Sequence, residues 1–204
     1  MGMVIISGCS NGKSDGVSGV SADKLCDESL DRESAAALEK ISGTTKFQEL
    51  PGKNDFGEPN KFSLARAGKH LSTETTQRTQ CNVYKASDKS GHPLLQIDFI
   101  GVKRTPTRKG LEDATERTFY PVGSIAYAGD GNSTSLYFEC REASKADGSK
   151  FIDAAMYSSA NQMKVHSTEN ERMAILNSIS RKFASQLGCL AEARLPKHLP
   201  KPSP

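Results

Sequence analysis

Hydrophobic and polar positions change period several times along the chain, and each change marks an element. From Asp27 to Ile41 the apolar residues Cys26, Leu30, Ala37, Leu38 and Ile41 fall near one face of a 3.6-residue repeat, and Gly43 follows as a stop, which predicts a helix. Lys46–Leu50 reads as a short strand, Pro51–Pro59 as a turn-rich loop, and Phe62–Leu71 as a second, weaker helix. The period then drops to two. Gln80–Ala86 places Cys81 and Val83 on one face, and Leu94–Val102 does the same with Leu95, Ile97 and Phe99. Ser87-Asp88-Lys89-Ser90-Gly91 supplies turn residues between them, so the two segments predict a hairpin.

A basic loop separates this hairpin from a second strand pair, Thr118–Tyr127 and Ser135–Arg141, around the turn Gly129-Asp130-Gly131-Asn132. Leu136, Phe138 and Cys140 point one way there, and Tyr137, Glu139 and Arg141 the other. Phe151–Tyr157 predicts a further strand. Thr168-Glu169-Asn170-Glu171 is a capping box, in which hydroxyl and carboxylate each satisfy a free N–H at a helix start. Met173, Leu176, Ile179, Phe183 and Leu187 then recur at three- and four-residue steps, and Gly188 stands where a left-handed terminating residue is expected. Leu195–Pro204 carries four prolines and reads as an extended, solvated tail. The predicted fold class is α+β: an antiparallel sheet flanked by N- and C-terminal helices and stapled by two disulfides. The predicted organisation is a single domain over 23–192 and a Pro-rich tail over 193–204.

Composition narrows the class of partner. The 204 residues are 36% hydrophobic and 25% charged, contain no Trp, and carry a formal net charge of +3. That is an ordinary surface without the basic excess of a nucleic-acid binder, so no nucleic-acid partner is expected. No apolar run approaches the roughly 18 residues that span a bilayer, so membrane attachment would need another device.

The five cysteines suggest that device. Cys9, Cys26, Cys81, Cys140 and Cys189 are spread evenly, unlike a CxxC redox pair or the close pairs of a zinc site. Five is odd. Ile6-Ser7-Gly8-Cys9 resembles the lipobox of bacterial lipoproteins, in which the cysteine is acylated and becomes the new N-terminus. Residues 1–8 would then be the remnant of a signal peptide. Residues 9–22, with the Gly/Ser-rich run Ser10-Asn11-Gly12-Lys13-Ser14-Asp15-Gly16-Val17-Ser18-Gly19, would be a flexible tether. Nothing basic precedes Cys9, and only Met3–Ile6 is continuously apolar, so the export signal is incomplete as written. Either the true start codon lies upstream of Met1, or the match is accidental in a cytoplasmic protein. With Cys9 lipidated, the other four cysteines can form two disulfides. Cys26 with Cys81 and Cys140 with Cys189 would each tie a terminal helix to a strand, but four cysteines allow three connectivities and sequence does not choose.

Cys26-Asp27-Glu28-Ser29-Leu30, Ala37–Gly43, Gln80-Cys81-Asn82-Val83-Tyr84, Phe138-Glu139-Cys140 and Ser178–Cys189 together resemble the layout of small, uncharacterised actinobacterial lipoproteins over roughly residues 9 to 190. The resemblance implies a cell-envelope location and brings no catalytic residue and no cofactor.

Other chemistries find little support. Ser-x-x-Lys occurs at Ser10–Lys13 and Ser21–Lys24, in or beside the tether, without the Lys-Thr-Gly of penicillin-recognising enzymes. His70, His92, His166 and His198 are scattered, and His166 with Glu169 offers two ligands where a metal needs more. Lys103-Arg104-Thr105-Pro106-Thr107-Arg108-Lys109 is the one compact basic cluster. On a tethered protein, Lys103, Arg104, Arg108 and Lys109 could touch anionic lipid head groups or wall polymers, and otherwise form a solvated connection. Three readings follow: a lipid-anchored envelope binding module, an extracytoplasmic hydrolase with no recognisable motif, and a cytoplasmic protein with a chance lipobox.

Overall fold

The computed structural model describes residues 18–72, 76–112, 116–129, 132–141, 148–164 and 168–203. Among these the chain forms α1 (Arg32–Ser42), β1 (Phe47–Glu49), α2 (Leu64–Lys69), β2 (Cys81–Lys85), β3 (Leu95–Val102) and α3 (Arg108–Glu112). It continues with β4 (Arg117–Tyr120), β5 (Ile125–Gly129), β6 (Ser133–Glu139), β7 (Phe151–Ser158), α4 (Glu169–Gln186) and α5 (Leu190–Ala193). The strands make one antiparallel sheet in the order β1-β2-β3-β7-β6-β5-β4. The α+β class with two disulfides holds.

Period-two patterning sets the sheet's two faces. Ile97, Phe99, Leu136, Phe138, Ile152 and Ala154 are at most 1% exposed and meet the buried stripe of α4, whose Phe183 ring lies 4.5 Å from that of Phe99. Helix α4 lies across β5, β6 and β7, with α1 and α2 packed beside it. Its capping box forms as the sequence predicts: Glu171 accepts the Thr168 N–H at 2.9 Å. Gly188 at φ +78° ends it, with the Cys189 N–H reaching the Ala184 carbonyl at 2.9 Å. On the opposite face α3 lies at the β4 margin, where Arg108 lies 4.6 Å from the Phe119 ring.

Four expectations change. The first helix begins at Arg32 instead of Asp27, because Asp31 caps it by accepting the Ser34 N–H at 2.9 Å. Ahead of it, Cys26, Asp27 and Glu28 form a left-handed turn with φ of +49°, +60° and +55°. The segment predicted as one strand over Thr118–Tyr127 is two, β4 and β5, folded at Pro121–Ser124. Gly123 makes that fold at φ +63°, and a Cβ there would stand 2.4 Å from the Tyr137 carbonyl oxygen. The C-terminal tail is extended but not solvated: Leu195 is buried, Leu199 packs on the core, and Asn177 donates to the Pro196 carbonyl at 2.9 Å. The Ser203 N–H then reaches the Phe119 carbonyl at 2.8 Å and closes the free edge of β4. Finally, residues 19–22, expected in the tether, belong to the fold. Val20 exchanges backbone hydrogen bonds with Phe47 at the β1 edge, and Ala22 is fully buried.

Candidate functional site

Four of the predicted site residues are the disulfide cysteines, and the fold pairs them as their elements suggested. Cys26 meets Cys81 with Cα atoms 5.7 Å apart, and Cys140 meets Cys189 at 5.2 Å. Cys26 comes from the left-handed turn ahead of α1 and not from the helix itself. The turn is held by carboxylates. Glu49 accepts the Cys26 N–H at 3.0 Å and the Phe62 N–H at 2.8 Å, and Asp27 accepts the Leu64 N–H at 3.0 Å. Burial raises the Glu49 pKa, against the lowering by its two backbone donors. Cys140, Cys189 and Glu192 lie within ligand distance of one another, but the sulfurs are bonded together, which leaves one carboxylate and no thiolate for an ion.

Crosslinks of this kind form and persist in oxidising compartments, so they are compatible with an extracytoplasmic location. Among the described residues no helix is long and apolar enough to cross a membrane. Cys9, the tether through Val17, His166 and the Ser10–Lys13 pair lie outside the described residues.

The basic cluster leaves the end of β3. Lys103, Arg104, Arg108 and Lys109 are all exposed, but Arg108 is engaged twice: its Nε donates to Glu112 at 2.6 Å, and its guanidinium covers Phe119. Val102 pairs with Phe151, and the Lys150 N–H donates to the Val102 carbonyl at 3.1 Å, so the fold sets a fifth basic residue beside Lys103. Sequence reading missed Lys150. The signal lay in the pairing of β3 with β7, which nothing local announces.

The sheet face turned away from α4 holds the groups that a hydrolase would need to use. Asp98 on β3 and Asp153 on β7 are diagonal neighbours in register, since Asp98 opposes Ala155 and Ile100 opposes Asp153. Tyr137 opposes Asp153 from β6. Burial raises the pKa of both carboxyls; Gln96 lowers that of Asp98, the Tyr137 hydroxyl lowers that of Asp153, and the Asp98 charge raises that of Asp153 further. Burial and then Asp153 drive the Tyr137 phenol well above its ordinary range. The three therefore retain their protons to higher pH than free side chains do, and Gln80, which bonds Asp98, lines a hollow of about 300 Å³ with Asn82 and the loop at Lys53–Asp55. Hollows of about 590 Å³ and 400 Å³ lie elsewhere, the first along Ser18–Val20 and β1, the second between α1, α4 and the tail. Of the described histidines, His70 faces Glu58, His198 pairs with Glu33 at 3.3 Å, and His92 lines a hollow of about 240 Å³ with Tyr157 of this same face.

The fold and its crosslinks define a disulfide-stapled α+β domain with an open sheet face and a basic end. No family model, no curated protein and no solved structure matches the chain.

Proposed function

We propose that this chain is an exported, lipid-anchored module of the cell envelope, held at the membrane by Cys9 and acting by binding. One observation carries the reading: two disulfides inside the domain use four of the five cysteines, and the fifth stands in Ile6-Ser7-Gly8-Cys9. An odd cysteine in an exported chain needs a use, and acylation of Cys9 supplies one. Two or more acyl chains hold a protein stably, at about 0.8 kcal/mol per buried CH₂, where a single chain holds it only marginally.

Among the described residues the first backbone pairing is that of Val20 with Phe47, so ten residues lie between Cys9 and the edge of the sheet. A binding role fits the sequence better than hydrolysis, because no hydrolase motif accompanies its Ser-x-x-Lys pairs and its histidines are scattered. The test is detergent-phase partitioning of the protein in its native host, for the wild type and Cys9→Ala. Wild type in the detergent phase and the variant in the aqueous phase is the expected outcome; identical partitioning of the two removes the anchor.

A further inference from the structure

We propose that the basic end of the sheet, formed by Lys103, Arg104 and Lys150, docks the domain on anionic lipid head groups of the membrane that anchors it. The proposal rests on the lipid-anchor reading for its membrane and on the fold for its surface. Val102 opposite Phe151 is the outermost β3–β7 pair, and the Lys150 N–H donates to the same Val102 carbonyl at 3.1 Å, so Lys150 stands beside the strand end from which Lys103 and Arg104 continue.

All three side chains are exposed, and among the described residues no carboxylate is bonded to any of them. Of the described acids near this end, Glu139 and Glu192 face Arg141, and Glu112 faces Arg108. Lys109 on α3 adds a further exposed charge. Among the described residues this end therefore carries a local excess of positive charge, on a chain whose net charge is +3.

The tether makes so small a patch effective. Ser18 lies nine steps along the chain from Cys9, a reach of about 30 Å at roughly 3.3 Å per residue. Val20 pairs with Phe47 level with the start of β3, so the basic end lies about one strand length, roughly 26 Å, from where the tether leaves the sheet; that reach spans the distance and lets the basic end meet the bilayer at raised effective concentration. Each basic residue near an anionic surface is worth about 1 kcal/mol, or roughly fivefold in partitioning.

The experiment uses the full chain carrying Cys9→Ser, so that no acyl chain contributes. Its co-sedimentation is measured with vesicles of phosphatidylcholine alone and of phosphatidylcholine with phosphatidylglycerol. Binding to the anionic vesicles only, weakened by salt, is expected. Lys103→Gln, Arg104→Gln and Lys150→Gln should each lower the partition coefficient about fivefold. Lys150→Arg should retain it, and Lys182→Gln, exposed on α4, should leave it unchanged. Equal binding to neutral vesicles, Lys150→Gln binding like the parent, or capture by soluble polyphosphate in preference to vesicles would each overturn the proposal. Failure of the anchor itself would appear in the Cys9→Ala partitioning and leave the vesicle result untouched.

Discussion

Opening the two disulfides separately gives a quantitative test of how the domain is held together. Cys26–Cys81 spans 55 residues and Cys140–Cys189 spans 49. In the chain-entropy description, closing loops of those lengths removes denatured-state entropy worth about 4 kcal/mol for each crosslink. Their native environments differ, however. Cys26 sits first in a run of three residues, none of them glycine, in the left-handed region, each costing about 1 to 2 kcal/mol in backbone strain. Opening Cys26–Cys81 lets part of that turn relax, whereas Cys140 and Cys189 follow β6 and α4 with no such strain to release. Cys140→Ser with Cys189→Ser should therefore lose close to the full 4 kcal/mol, a fall in melting temperature of roughly 8 to 16 °C for a domain of this size. Cys26→Ser with Cys81→Ser should lose less. Both changes together remove up to about 8 kcal/mol, comparable to the whole stability of an ordinary domain, and the fully reduced chain should be largely unfolded at physiological temperature. Calorimetric melts of the wild type, both double variants and the reduced protein read these values. An unchanged melting temperature on reduction refutes the stapling argument, and a larger loss from the Cys26–Cys81 pair refutes the part assigned to strain.

Three further outcomes follow from the geometry. Burial raises the pKa of Asp98 and Asp153 in the fold above their value of about 3.9 in an unfolded chain, so the folded state retains these protons longer and loses stability as pH rises through the folded values. Asp98→Asn with Asp153→Asn should melt above the wild type at neutral pH, with the gap closing below about pH 4; a gap independent of pH, or of opposite sign, contradicts this. Gly123→Ala places a Cβ against the Tyr137 carbonyl at positive φ and should cost about 2 kcal/mol or more by chemical denaturation, with no loss meaning that the β4–β5 turn is wrongly placed. Leu199→Ala should cost about 1 to 2 kcal/mol, since the side chain packs only partly on the core, and a neutral result would mean that the tail is not docked.

The parts of the fold that sequence revealed are those whose cause is local. The β2–β3 hairpin was legible from alternation on either side of one turn, and α4 from its capping box, apolar stripe and Gly188. The assignment of each cysteine near a helix or a strand also suggested the right pairing, although it could not exclude the other two. Elsewhere a local signal was present but outweighed. Pro121 and Gly123 mark the fold between β4 and β5, yet the apolar run through Thr118–Tyr127 reads as continuous. Asp31 caps α1, yet the apolar spacing carries backwards to Cys26. The prolines of the tail correctly exclude helix, but they do not reveal that Leu195 and Leu199 find a surface. The remaining features depend on long-range pairing. That β7 enters the sheet between β3 and β6 decides that Asp98 and Asp153 become neighbours and that Lys150 stands beside Lys103, and no periodicity encodes that insertion.

The central claim, an exported domain anchored by Cys9 and closed by two internal disulfides, is tested most directly by non-reducing mass spectrometry of the protein purified from the membranes of its native host. The account predicts an N-terminal peptide that begins at Cys9 and carries thioether-linked lipid, together with crosslinked peptides joining Cys26 to Cys81 and Cys140 to Cys189. An unprocessed Met1 with an unmodified Cys9 and free thiols at the other four positions would contradict it.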